Sequence, residues 1–252
     1  MKEIKNKVFG LLGKNISYSF SRGYFTEKFE KSGIYNCKYI NFDISQIQDF
    51  PSIVKNQENL KGLNVTIPYK EQVIVFLDKL DVTAKKIGAV NTIKITKKGN
   101  LKGYNTDVYG FENSLLPLLK KYHKKALILG TGGASKAVAF ALKQNKIKYK
   151  FVSRNPKKKK EISYENITEQ LLSKYHIIIN ATPLGTSPNI DKSPNIPYQF
   201  LTPKHLLYDL IYNPPITTFL AKGKENGAAI KNGLEMLQLQ AEESWRIWNS
   251  KM

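Results

Sequence analysis

The stretch Asn64-Val65-Thr66-Ile67-Pro68-Tyr69-Lys70 packs an amide, a hydroxyl and an amine into one short segment. It follows an apolar run and precedes residues 71–76, which read as a helix. Pro68 sits where a helix can begin, because its missing N–H would have no partner there anyway. The segment therefore reads as strand end, turn and helix start, the rim of an open α/β sheet where ligands bind. Asn64, Thr66 and Lys70 converging at such a rim suit a small polyhydroxylated substrate; on this stretch alone, Lys70 reads better as an ordinary surface lysine.

A second stretch points to a nucleotide. Gly130-Thr131-Gly132-Gly133-Ala134-Ser135 follows the apolar strand 126–129 and precedes a helix over 136–144, the context that a dinucleotide fingerprint requires. Gly130 permits the tight turn, and Gly132 lets the backbone approach a pyrophosphate at the positive helix N-terminus. Ser135, still small, stands where the general pattern has its third glycine. The next strand, 149–153, ends at Arg154 with no acid to hold a ribose 2′-hydroxyl. The Arg154 fork suits a 2′-phosphate, which favours NADP over NAD; the other reading is a solvated arginine before a turn.

The elements that must position these groups alternate. Residues 8–12, 38–43 and 63–67 read as strands, separated by helices over 24–31 and 47–56, which implies a parallel sheet built from βαβ units. Residues 81–88 read as a short helix, and 97–100 as a hairpin turn between strands 93–96 and 101–104. Asn105-Thr106-Asp107 opens a helix to about residue 119; Asp107 could simply cap it. In the second half, strands at 126–129, 149–153, 177–180, 206–210 and 228–230 alternate with helices over 136–144 and 217–226 and a short helix that ends over 171–174. A terminal helix from Leu234 has apolar residues at helical spacing.

At 252 residues the chain can bury a sizeable core, and its hydrophobic content of 41% is ordinary for a soluble protein. No apolar run approaches the roughly 18 to 20 residues of a membrane span, and the N-terminus does not read as a signal peptide. A single cysteine, Cys37, excludes an internal disulfide or a cysteine metal cluster, so a cytoplasmic location is expected, and no metal. The net charge of +20 raises nucleic acid as a partner. Against it, only Arg22, Arg154 and Arg246 are arginines, and the lysines are spread along the chain, with one dense run at 157–160.

Together with Ile16-Ser17-Tyr18-Ser19, Gly88-Ala89-Val90-Asn91-Thr92, Asn105-Thr106-Asp107, Asn180-Ala181-Thr182-Pro183-Leu184-Gly185 and Met236-Leu237-Gln238-Leu239-Gln240-Ala241, the two opening stretches resemble the shikimate dehydrogenase family over nearly the whole chain. The resemblance implies an α/β protein of two domains. A mainly parallel N-terminal α/β substrate domain (1–106) is completed by the C-terminal helix (233–252), and a Rossmann-like NADP-binding domain (107–232) is inserted between. It implies NADP-dependent, reversible reduction of 3-dehydroshikimate to shikimate, with Lys70 and Asp107 as the catalytic pair. Ser17, Ser19 and Tyr212 match carboxylate-binding positions, and Thr66, Asn91 and Gln240 match ligands of the ring hydroxyls. Gly130, Thr131, Gly132, Gly133, Ala134, Ser135, Arg154, Thr182, Leu210 and Gly233 fall at nucleotide-contacting positions. A small-molecule substrate without nucleic acid or membrane partners is expected, in a monomer or homodimer.

The chain departs from the family pattern at Phe20, Tyr104, Val108, Ser153, Asn155 and Glu235, and the segment from Arg154 to Asn180 looks one helix short. A sister enzyme acting on quinate with NAD is an alternative, but no residue presents itself for quinate's extra hydroxyl. A basic nucleic-acid-binding protein is another, and it leaves the glycine loop unexplained.

Overall fold

The computed structural model describes residues 6–17 and 19–250. The chain divides into two compact units, one formed by the residues up to Thr106 together with those from Ala241 onward, the other by Asp107–Gln240.

In the first unit the chain runs β1 (Lys7–Gly13), α1 (Phe20–Lys31), β2 (Cys37–Asp43), α2 (Phe50–Asn56), β3 (Leu60–Val65), β4 (Lys79–Leu80), α3 (Val82–Ile87), β5 (Thr92–Ile95) and β6 (Leu101–Tyr104). The strands form one sheet in the order β2-β1-β3-β5-β6-β4. β1 pairs in parallel with β2 and β3, while β5 runs antiparallel to both β3 and β6. β5 alone runs against the others: the hairpin at 97–100 turns β6 back to the direction of β1–β3, and β4 pairs in parallel with β6, so the parallel arrangement expected from the alternating elements is interrupted by one strand. Successive β1 side chains serve opposite faces. Val8 and Leu12 join Phe50, Leu63, Tyr69, Val73 and Ile93 in one core. Phe9 and Leu11 join Phe25, Phe29, Tyr39, Ala241 and Trp248 in the other.

Three local expectations change. Helix α1 begins at Phe20, four residues earlier than its apolar residues indicate, because Ser19 caps it by accepting from the Ser21 N–H. Pro68 does not start an α-helix: the Ile67–Pro68 bond is cis, and a turn leads into a 3-10 helix at Gln72–Phe76. The segment read as a helix over 47–56 is a 3-10 turn (Ile47–Asp49) followed by α2, with Pro51 in its first turn. The short helix α3 is as its chemistry demands: the Asp81 carboxylate accepts from the Thr83 and Ala84 N–H groups, and Gly88 ends it at φ +71°.

The second unit runs α4 (Asp107–Leu115), β7 (Lys125–Leu129), α5 (Gly133–Gln144), β8 (Lys148–Val152), β9 (Glu161–Ile162), α6 (Glu169–Leu172), β10 (Ile177–Asn180), β11 (Leu206–Asp209), α7 (Thr218–Glu225), β12 (Ala229–Lys231) and the first turns of α8 (Leu234–Asn249). Its sheet is wholly parallel, in the order β12-β11-β10-β7-β8-β9. This is the doubly wound order, with its switch between β7 and β10, the place where such sheets bind nucleotides. β8 joins β9 without a helix: the lysine run turns there, with Lys157 and Lys158 donating backbone N–H groups to the Glu161 carboxylate. α4 stops at Leu115 and continues as a 3-10 turn (Leu116–Leu118), because Pro117 has no N–H to extend it.

The chain leaves the second unit at Gln240, eight residues beyond residue 232, the end expected for that unit. The first turns of α8 are held there by close backbone contact: Gly110 of α4 lies directly against the Met236 carbonyl, and Gly233 against the Leu210 carbonyl, positions where a Cβ would not fit. At the strand starts of this sheet, His123 and His205 each accept a backbone N–H at Nδ1 and meet a carbonyl at Nε2. Burial lowers the proton affinity of both.

Candidate active site

The first unit gathers its candidate residues at one end of the sheet through backbone hydrogen bonds. Thr66 N–H donates to the Leu12 carbonyl (2.9 Å), and Val65 N–H to the Asn91 carbonyl (2.8 Å). Val90 N–H donates to the Lys70 carbonyl (2.7 Å), so Lys70 and Asn91 are neighbours although 21 residues apart. The loop after β1 reaches the same place. Gly13 is required there, since a Cβ would stand 2.6 Å from both Ile16 Cγ2 and Thr66 Cγ2. The loop is pinned by Asp43, whose carboxylate accepts from the Asn15 and Ile16 N–H groups, and by Asn41, which donates to the Ile16 carbonyl. Ser17 is exposed at its tip and Ser19 half-buried at the N-cap of α1. Thr66 and Lys70 are half-buried, and Asn91 is buried. Tyr18, part of the serine motif, lies outside the described residues.

Asn91 is held by its whole amide: Oδ1 accepts the Thr106 N–H (2.7 Å), and Nδ2 donates to Thr106 Oγ1 (3.0 Å). Behind it lies a buried polar network that the motif reading missed. Asn64, expected at the rim, is inside; its Oδ1 accepts from the Tyr39 hydroxyl (2.8 Å) and its Nδ2 donates to Ser244 Oγ (2.9 Å). Thr92 and Thr106 hydroxyls bond the same Ser244. The network is fully hydrogen-bonded at Asn64, so it stiffens the strand ends that carry Thr66 and Asn91.

In the second unit, Asp107 is the buried first residue of α4, and Gln240 is buried on α8. One turn on from Asp107, a Cβ at Gly110 would lie 3.2 Å from the Gln240 backbone nitrogen, so the ends of these two helices are neighbours. Tyr212 is half-buried on the loop after β11. The glycine loop has the geometry that a dinucleotide needs. Gly130 adopts φ +103°, and a Cβ there would stand 3.0 Å from the Ala181 carbonyl and 3.1 Å from Thr182 Cγ2. Gly132 caps α5 with open space where a side chain would stand, so a phosphate can approach the backbone. Thr131 is exposed, Gly133 and Ala134 begin the helix, and Ser135 turns inward, its hydroxyl donating to the Gly132 carbonyl (2.6 Å). Arg154 is exposed just beyond β8, a strand end without a carboxylate. This donor set fits a dinucleotide carrying an additional phosphate. Thr182 and Leu210 lie on the exit loops of β10 and β11, and Gly233 N–H donates to the Ile211 carbonyl of the second loop.

The family model described as the shikimate dehydrogenase substrate binding domain matches residues 11–93. The shikimate dehydrogenase (NADP(+)) of Desulforamulus reducens is 35% identical over 269 residues, covering 97% of this chain and 90% of the relative. The chain belongs to the shikimate dehydrogenase family. Within that family, the enzyme of Clostridium botulinum (strain Hall) is 40% identical over 250 residues, with 95% of each chain covered. A solved shikimate 5-dehydrogenase from Thermus thermophilus, in complex with NADP(H) and shikimate, superposes with a TM-score of 0.85 at 29% identity, covering 98% of this chain and 94% of that one. The two-unit division and the doubly wound sheet of the second unit are the architecture of the shikimate dehydrogenase family. Among the described residues no group of histidine, cysteine and carboxylate side chains could hold a metal, and no helix is long and apolar enough to cross a membrane.

Proposed function

We propose that the chain catalyses the NADP-dependent, reversible reduction of 3-dehydroshikimate to shikimate, a step of aromatic amino acid biosynthesis. The observation that carries this reading is the convergence of Thr66, Lys70 and Asn91 at one sheet end of a shikimate dehydrogenase family member. Thr66, Asn91 and Gln240 bind the ring hydroxyls. Ser17, Ser19 and Tyr212 hold the carboxylate through neutral donors, which is adequate for one charge shielded from water.

When bound, NADPH supplies the hydride. Gly130, Thr131, Gly132, Gly133, Ala134 and Ser135 receive its pyrophosphate, Arg154 takes the 2′-phosphate, and Thr182, Leu210 and Gly233 flank the rest. Reducing a ketone leaves an alkoxide that needs a proton. Lys70 delivers that proton and, in the oxidative direction, removes it. Asp107 accepts a hydrogen bond from the hydroxyl undergoing oxidation. The ligands are small molecules rather than nucleic acid, the enzyme works as a monomer or homodimer, and its single cysteine suits a cytoplasmic setting.

The test is NADPH formation by the purified protein supplied with shikimate and NADP+. Turnover is expected, faster than with NAD+ because Arg154 replaces the acid of an NAD site. Absence of dehydrogenase activity on shikimate would overturn the reading.

A further inference from the structure

Two fully buried polar side chains of the second unit stand outside every role assigned above. Asn180 ends β10 and Asp209 ends β11, paired in the sheet, and each is 0% exposed. Their side chains meet: Asn180 Nδ2 donates to Asp209 Oδ1 (3.0 Å) and to the Leu184 carbonyl (3.2 Å). Asn180 Oδ1 accepts both the Thr182 N–H (3.0 Å) and the Thr182 hydroxyl (2.7 Å). The amide cannot be turned over, because its oxygen would then face a carboxylate and its NH2 a backbone N–H. Asp209 Oδ1 also accepts the Ile211 N–H (3.0 Å), and Oδ2 accepts the Thr217 hydroxyl (2.6 Å). Thr217 in turn caps α7.

The pair therefore ties together both strand-exit loops next to the glycine turn. The 181–185 loop carries Thr182, which lies against Gly130, and the 210–217 loop carries Leu210 and Tyr212. A surface loop with few partners would sample many paths; here five hydrogen bonds between the two loops and these two side chains select one. Cost is visible in the carboxyl. Burial pushes Asp209 up to about 6, against the hydrogen bonds from Thr217, Ile211 and Asn180 that favour its ionised form. A buried charge retained without the packing benefit of an apolar residue calls for a reason in what it holds in place.

We infer that Asn180 and Asp209 are positioning residues of the dinucleotide site, the Asp209 carboxylate fixing through Asn180 and Thr217 the two loops that carry Thr182 and Leu210. This rests on the reading of those two residues as nucleotide contacts.

The substitution Asn180→Asp tests it with almost no change of shape. It places two carboxylates within hydrogen-bond distance, so the pair needs a shared proton to keep its geometry. The Asp209 field reaches the Tyr198 phenol, which burial holds up at about 12, so Tyr198 stays neutral across the experiment. NADPH affinity is measured by fluorescence titration, as the ratio of variant to parent at each pH so that ionisation of the 2′-phosphate cancels. At about pH 5.5 the variant should bind within roughly threefold of the parent, and at about pH 8 at least tenfold more weakly. The KM for NADPH should follow, while kcat at saturating NADPH stays within about twofold. Thr217→Val, which keeps the shape and removes the donor to Oδ2, should weaken NADPH binding at both pH values and stands in if Asn180→Asp does not fold. Affinity ratios near one for both variants, or a ratio independent of pH for a folded Asn180→Asp, overturn the inference. A parent that binds no NADPH removes the nucleotide reading beneath it, an outcome distinguishable because it needs no variant.

Discussion

Lys70 and Asp107 are separated in the proposed reaction by what each can do to a proton. An ammonium can donate one to a developing alkoxide, whereas an ionised carboxylate can only accept a hydrogen bond and orient the hydroxyl. Removing the donor should therefore strike the chemical step harder. Lys70→Ala is expected to lose about 10²- to 10⁴-fold in kcat, the usual share of a general acid. Asp107→Ala should lose less in kcat and raise the KM for shikimate, since part of its role is binding. Steady-state kinetics of both variants in both directions decide this, and a Lys70→Ala enzyme with near-parental kcat would reassign the acid. At this scale a motif that carries its own local geometry is legible in the sequence: Gly130 has the positive φ and Gly132 the open space that the turn calls for. It misplaced Asn64, which turns inward to Tyr39 and Ser244, partners 25 and 180 positions away. A contact of that span leaves no mark on neighbouring residues, and the pairing of Asn180 with Asp209, 29 positions apart, is hidden for the same reason.

Elements were legible in proportion to how local their causes are. The caps of α3, the hairpin at 97–100 and the glycine turn before α5 follow from side chains within a few positions, and all three stand where the sequence puts them. The reversed strand β5 of the first sheet and the late exit of α8 from the second unit depend on pairings across long separations, which periodicity does not encode. The C-terminal part of α8 offers a sharp test of packing between elements. Gly62 on β3 lies directly beneath the Trp248 indole, whose Nε1–H donates to the Ile93 carbonyl (3.0 Å). Gly62→Ala would put a methyl group into the space of that ring, and the ring is hemmed in by Phe9 (4.9 Å between centroids) and Phe25 (5.4 Å). The expected cost is about 1 to 3 kcal/mol of stability, from overpacking plus loss of the indole hydrogen bond. Chemical denaturation of the variant measures it, and an unchanged midpoint would mean that α8 can shift along the sheet without penalty.

The molecule as a whole carries 40 lysine and arginine residues against 20 acids, and the consequence is electrostatic self-repulsion rather than a recognition code. Lysine is locally dense in the first unit, where a concavity of about 920 Å³ is lined by Lys7, Lys61, Lys79, Lys94, Lys97, Lys98 and Lys102 and, among the described residues, by no carboxylate. Lys94, the buried member, binds the Ile247 and Ser250 carbonyls at the end of α8, and burial together with the field of Lys102 lowers its proton affinity. Like charges crowded in this way oppose the compact state, and mobile anions screen them over about 10 Å at about 0.1 M salt. Raising sodium chloride from about 20 to about 300 mM should therefore raise Tm, by about 3 °C for each 1 kcal/mol of repulsion relieved. Sulfate at equal ionic strength should raise it further, because its exclusion from the surface favours burial as well. Differential scanning fluorimetry across the salt series provides the measurement. A Tm that is flat or falls with chloride would show that the positive charges are already neutralised by partners within the fold, and that the lysine excess costs the native state nothing.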